Sequence, residues 1–242
     1  MLTFGLLAFL PAFAAPRVSL PNGELIDSNT DMQVKVLGSA ITIQRTWVNG
    51  RWYLNPAWAP LKFKLDRNDQ SVKYVDRAGS VYERVGNGDI YQFDDHQFIR
   101  RVGENWLWYD RLGNAVNYSA TGLMTDYRNQ NDVTVRFDYD GLGQVRQIRD
   151  HFDEVALSFT YTGIQLNRIT DRTGRFVRYV WVGSLLKEVY DLDNKPTFYD
   201  YDNNGQLKEI KTPENRITKV NYLQSFSTAA IASPVGVSFS GR

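Results

Sequence analysis

The 242-residue chain has no cysteine, which removes disulfides, thiolate nucleophiles and cysteine zinc sites and leaves the redox compartment unread. Net charge is also nearly absent. With 28 Lys and Arg against 27 Asp and Glu, no broad basic field exists to collect phosphates, and nucleic acid is not an expected partner. Histidine is represented only by His96 and His151. Neither a Gly-x-Ser-x-Gly elbow nor a Gly-x-x-x-x-Gly-Lys phosphate loop occurs, so no catalytic residue is assigned and the chain is read as non-enzymatic. The apolar stretch from Leu2 to Phe13 is too short to span a bilayer as a helix, so no transmembrane span is expected. From Arg17 onward, no window holds an apolar stripe at helical spacing over three turns.

Aromatics are abundant. Fourteen Tyr, 13 Phe and 6 Trp make up 14% of the chain, and rings of this size suit a pleated, half-buried surface. Alternation is frequent, as in Val133-Thr-Val-Arg-Phe137 and Arg216-Ile-Thr-Lys-Val220. Asn49-Gly50, Asn87-Gly88 and Asn204-Gly205 are hairpin signals because these residues tolerate positive φ. The expected connectivity is therefore local and antiparallel.

At the N-terminus, the Leu2–Phe13 stretch closes on Ala12-Phe13-Ala14, a small-residue pattern suited to signal peptidase. Residues 1–15 are thus expected to be a signal peptide, cleaved near Ala14/Ala15, with the mature chain secreted or held in a bacterial cell envelope. No Lys or Arg precedes Arg17 to form the usual basic start, so a short apolar strand or an incomplete N-terminus remains the other reading.

Self-similarity decides the fold class. The apolar pair Val145/Ile148, with Asp150 two residues on, returns as Leu166/Ile169/Asp171, Leu186/Val189/Asp191 and Leu207/Ile210/Thr212, with a looser copy in Met124/Tyr127/Asn129. Eight residues then lead Asn129 to Phe137, Asp171 to Tyr179, Asp191 to Tyr199 and Thr212 to Val220, while Asp150 needs nine to reach Phe159. At plus two comes an aromatic each time: Tyr139, Tyr161, Trp181, Tyr201 and Tyr222. Two residues on one face of one strand result. Length variation falls in the segment holding Gly143, Gly163, Gly183 and Gly205, as when turns absorb insertions that ladders cannot.

Each unit of about 20 residues therefore reads as strand, turn, strand. The apolar pair lies three apart rather than two, which predicts a bulge or bend in the second strand. The fold class is all-β, with tandem β-hairpin repeats over 118–222 forming a continuous twisted antiparallel sheet. Residues 16–117 read as an N-terminal β leader region, and 223–242 as a low-complexity tail. An open sheet has unpaired edges, so the strand near Val220 to Leu223 is expected to pair with a further repeat or a partner chain.

Tyr201-Asp202-Asn-Asn-Gly205-Gln-Leu207-Lys-Glu-Ile210 and Tyr139-Asp140-Gly-Leu-Gly143-Gln-Val145-Arg-Gln-Ile148 resemble the Tyr-Asp-x-x-Gly-x-Leu-x-x-Ile motif of the RHS/YD-repeat family. Its partner half, Asp-x-x-Gly-x-x-x-x-Tyr, is matched by Asp171 to Tyr179 and by Asp110 to Tyr118. Upstream, Asn22 to Leu25, Thr30 to Val34 and Ile41 to Trp47 look like the family's leader segment, departing from it after Asn49 at Arg51-Trp52-Tyr53-Leu54-Asn55-Pro56-Ala57-Trp58. The resemblance covers roughly residues 20 to 222. It implies a β-sheet that spirals into a hollow shell enclosing a C-terminal toxin or other cargo. The Ser225–Arg242 segment holds no cargo domain and no aspartyl autocleavage motif, so the resemblance implies either a leading fragment or a short member, with any cargo encoded beyond this chain.

Four local patterns admit a functional reading. His96 in Asp94-Asp95-His96 and His151 in His151-Phe152-Asp153-Glu154 have acid neighbours fit for a metal or general-base role. Neighbours on a strand point to opposite faces, however, so these are read as turn residues. Asp200-Tyr-Asp202-Asn-Asn204-Gly205 imitates the start of a calcium loop, but its twelfth position is Lys211 instead of Glu. No metal or cofactor-binding residue is assigned. Trp47, Trp52, Trp58, Trp106 and Trp108 lie outside the repeat phase and carry the alternative reading of a cell-surface carbohydrate-binding module with a glycan partner.

Overall fold

The computed structural model describes residues 16–19, 24–55, 58–223 and 228–232. The expected signal peptide lies outside them. The protein is all-β, with 22 strands and no α-helix among the described residues. No helix among them is long and apolar enough to cross a membrane. The chain divides into two compact units, one of residues 1–33, 42–54 and 177–242, the other of residues 34–41 and 55–176.

The second unit carries a meander in which every strand pairs antiparallel with the next. In order these are β5 (Lys62–Leu65), β6 (Val72–Arg77), β7 (Ser80–Arg84), β8 (Ile90–Gln92), β9 (Gln97–Val102), β10 (Asn105–Asp110), β11 (Ala115–Tyr118), β12 (Met124–Arg128), β13 (Thr134–Tyr139), β14 (Val145–Arg149), β15 (Val155–Thr162) and β16 (Gln165–Asp171). Its core is one row of inward residues, Val75, Tyr82, Tyr91, Ile99, Ile148, Leu157, Phe159 and Ile169 among them, all buried. The hairpin architecture therefore begins at Lys62 and runs through half of the expected leader region.

In the first unit, β17 (Phe176–Val182), β18 (Leu185–Tyr190), β19 (Pro196–Tyr201), β20 (Leu207–Lys211), β21 (Ile217–Leu223) and β22 (Thr228–Ala232) form the same kind of meander. A separate four-stranded sheet runs in chain order through β1 (Arg17–Ser19), β2 (Glu24–Val36), β3 (Ser39–Val48) and β4 (Arg51–Leu54). β3 turns into β4 at Asn49-Gly50, both at positive φ as a two-residue hairpin turn requires.

One expectation is corrected here. The edge of β21 is not open: β22 pairs along it from Lys219↔Ala232 to Leu223↔Thr228. Thr228-Ala-Ala-Ile-Ala232 of the 223–242 tail forms the paired strand.

The expected bulge is present in the second strand of each copy. Phe137 faces Ile148 and Asp138 faces Gln147, yet Tyr139 faces Val145, leaving Arg146 as the extra residue. The same slip leaves Thr125, Asn167, Lys187 and Lys208 extra in the other copies. A further copy that the sequence did not reveal places Lys73 in this role between β5 and β6. The one irregular interval, nine residues instead of eight, has its own explanation. Ile148 faces Leu157 while Arg149 faces Val155, so Ala156 bulges, and both Ala156 and Leu157 are buried.

Turns between repeats follow a single design. At Asp140 the backbone N–H donates to Gln144 O, Gly143 N–H donates to Asp140 O, and Oδ1 of Asp140 accepts the N–H groups of Leu142 and Gln144. Asp110, Asn129, Asp150, Asp171, Asp191 and Asp202 do likewise. The fourth turn residue lies at positive φ throughout, and it is Gly, Asn or Asp, the types that accept this region.

Candidate functional site

Two constructions in the structure could carry function: a seam that repeats along the hairpins, and a buried polar cluster in the first unit.

The seam arises from the bulge. One extra residue breaks the ladder locally and frees the carbonyl just before it from strand pairing. In the second unit, Tyr139 donates its hydroxyl to Met124 O at 2.7 Å, Tyr161 to Val145 O at 3.1 Å and Tyr91 to Val72 O at 3.0 Å. In the first unit, Tyr201 donates to Leu186 O at 2.6 Å and Tyr222 to Leu207 O at 3.1 Å. Each acceptor immediately precedes the extra residue of the preceding copy. The tyrosine of one hairpin thereby fills the core and satisfies the orphan acceptor of its neighbour. Burial pushes the Tyr161, Tyr201 and Tyr222 hydroxyls up to about 12, so they remain donors at neutral pH.

The polar cluster lies where β2 and β3 meet β17 and β19. Leu25, Asp27, Asn29 and Asp31 alternate along β2, which puts their side chains on one face. Arg45 of β3 grips Asp31 with Nε at 3.2 and 3.1 Å from the two carboxylate oxygens and Nη2 at 3.0 Å. Asp31 also accepts the Tyr179 hydroxyl at 2.7 Å, and Arg45 donates to the Tyr199 hydroxyl while lying over the Trp52 and Tyr199 rings. Asn29 donates to Asp27 at 2.7 Å. The Arg45 and Asp31 side chains are 5% and 4% exposed and Asp27 is 2% exposed, so the cluster is dry. Burial of their hydroxyls raises Tyr179 and Tyr199 well above the usual tyrosine range.

The residues singled out from sequence are dispersed. His96 is exposed in the turn between β8 and β9, where its backbone N–H donates to Asp94 Oδ1. His151 sits in the turn between β14 and β15 and accepts the Thr134 N–H on Nδ1 at 3.3 Å. Among the described residues no group of three His, Asp or Glu is placed to hold a metal ion. In the calcium-like segment, Asp200 pairs with Lys187 and Lys208 while Oδ1 of Asp202 is taken by two turn amides.

Of the five tryptophans singled out for a binding face, Trp52 and Trp58 are half-buried. Trp47, Trp106 and Trp108 are buried. Trp47 meets Trp52 edge-on at 5.4 Å. Trp106 stacks on Phe63 at 4.7 Å, Trp108 donates Nε1–H to Tyr82 at 2.9 Å, and Trp58 packs on Phe137 at 5.1 Å. Their rings lie in three separate settings. A large ring in a sheet with one dry face removes most area from water by turning inward.

Sequence reasoning missed the polar cluster. Asp31 meets Tyr179 148 residues on, and Arg45 meets Tyr199 154 residues on. No family model and no curated protein matches the chain.

Proposed function

We propose that this chain is a non-enzymatic architectural segment of an exported RHS/YD-repeat protein, contributing to a β shell around a toxin or other cargo. The observation carrying this reading is the tyrosine seam. The Tyr of the Tyr-Asp motif is the residue that seats on the preceding bulge, and the Asp beside it is the residue that builds the next turn. The motif that resembles the family is thus spent on holding hairpins to one another. Limited proteolysis and sizing of the chain from Ala15 onward test the proposal. A resistant core spanning the hairpins supports it, and rapid degradation without such a core argues against an independently folded segment.

The carbohydrate-binding alternative would draw on the half-buried Trp52 and Trp58, since Trp47, Trp106 and Trp108 are buried. A glycan array with the parent chain and with Trp52 or Trp58 replaced separates the readings. The architectural one expects loss of stability, and the binding one expects selective loss of glycan signal.

A further inference from the structure

The Asp27 cluster holds two carboxyl groups and one guanidinium in a space from which water is excluded. Asp31 takes the fork of Arg45. Asp27 receives an amide hydrogen bond from Asn29, which is neutral. The groups facing Asp27 are Asp31 on its own strand, Arg45 on β3 and Tyr199 on β19, while Tyr179 on β17 bonds Asp31. Counted as charges, one base serves two acids, and an unpaired carboxylate in a dry interior is costly enough that it takes up a proton instead.

We propose that Asp27 is a proton-operated latch on the seating of β2 and β3 against β17 and β19, held closed by a proton on its carboxyl and loosened when that proton leaves. The proposal does not rest on the shell reading. Burial pushes the Asp27 carboxyl up to about 6, against the opposing pull of Arg45 and of the Asn29 hydrogen bond. The sign follows. The folded value lies above the ordinary 3.8, so the protonated form belongs to the closed state. Seating is firmest at and below the ordinary carboxylate range and weakens as pH rises through 6. The full difference of about two pH units corresponds to a ratio of roughly 10² in the opening equilibrium. Passage from acidic to neutral surroundings would open this contact without unfolding the hairpins.

The test is native-state hydrogen exchange on the full chain at pH 5 and pH 7.5, corrected for intrinsic exchange, read at β2 and β3 amides beside Asp27 and Arg45. Protection is expected to be greater at pH 5 by about tenfold, the rest of the roughly 10² range lying below pH 5. In Asp27→Asn, whose amide is neutral and of equal size, the dependence is expected to vanish at the more protected level. Equal protection at both pH values, greater protection at pH 7.5, or the same dependence persisting in Asp27→Asn overturns the latch. Should the variant not fold, a carbon-detected carboxyl titration of the parent protein decides instead. A midpoint for Asp27 near 6 supports the proposal and one near 4 overturns it.

Discussion

Tyrosine and aspartate divide the labour at Tyr139-Asp140 and at Tyr201-Asp202. The tyrosine ring supplies apolar area to the core, and its hydroxyl meets a carbonyl that the bulge has removed from the ladder. The aspartate that follows gathers two turn amides on a single oxygen. Replacing Asp140 with Ala leaves both amides to solvent, and by analogy with helix caps a loss of about 1 kcal/mol is expected, measured as a lower urea midpoint. Asp202→Ala is expected to cost a similar amount, because its turn has the same bonds. Calcium addition is expected to leave the melting temperature of the protein unchanged, since Asp202 Oδ1 is occupied by amides and Asp200 by two lysines. An upward shift on calcium addition would restore the metal reading of this loop.

At the scale of the element, the bulge explains why an apolar pair three residues apart can face one core. Without the extra residue, Val145 and Ile148 would lie on opposite faces. That inference was available from spacing alone, as were the hairpins of 118–222, because rings and aliphatics recur in phase. The copy at β5 and β6 was not legible: Leu65 stands where the other copies place an aromatic opposite the bulge, although the Lys73 bulge is the same. The Asp27 cluster was invisible for a different reason. Burial of a polar strand face depends on what packs against it, and here the partners come from distant hairpins. The pairing of β22 was hidden because five uncharged residues, three of them Ala, give no periodic signal.

The register also makes a prediction at this scale. Deleting Ala156 restores the common eight-residue interval and removes a bulge without turning any neighbour over, so a cooperative unfolding transition and native near-ultraviolet circular dichroism are expected. Deleting Arg136 from β13, where Val135 and Phe137 have no spare residue between them, turns one side of the strand outward, and loss of the native signal is expected. Equal tolerance of the two deletions would contradict the register described.

Across the whole molecule, cohesion rests on many buried phenols of the same kind. Because burial raises Tyr161, Tyr201 and Tyr222 to about 12, the folded state favours their neutral form. Stability from this source is complete below pH 10, where unfolded tyrosine is also neutral, and is lost as pH rises from 10 towards 12. Absorbance at 295 nm is expected to show a fraction of the tyrosines titrating only with unfolding.

The central claim is that Tyr91, Tyr139, Tyr161, Tyr201 and Tyr222 hold neighbouring hairpins together by seating on bulges, and replacement of tyrosine by phenylalanine isolates the hydroxyl. At Tyr139, Tyr161, Tyr201 and Tyr222 a buried carbonyl loses its donor, and a loss of about 1 to 3 kcal/mol each is expected in urea unfolding. At Tyr190, half-buried beneath the Arg178 guanidinium, the same change is expected to stay within about 0.5 kcal/mol. Equal effects at the seam positions and at Tyr190 would contradict the account.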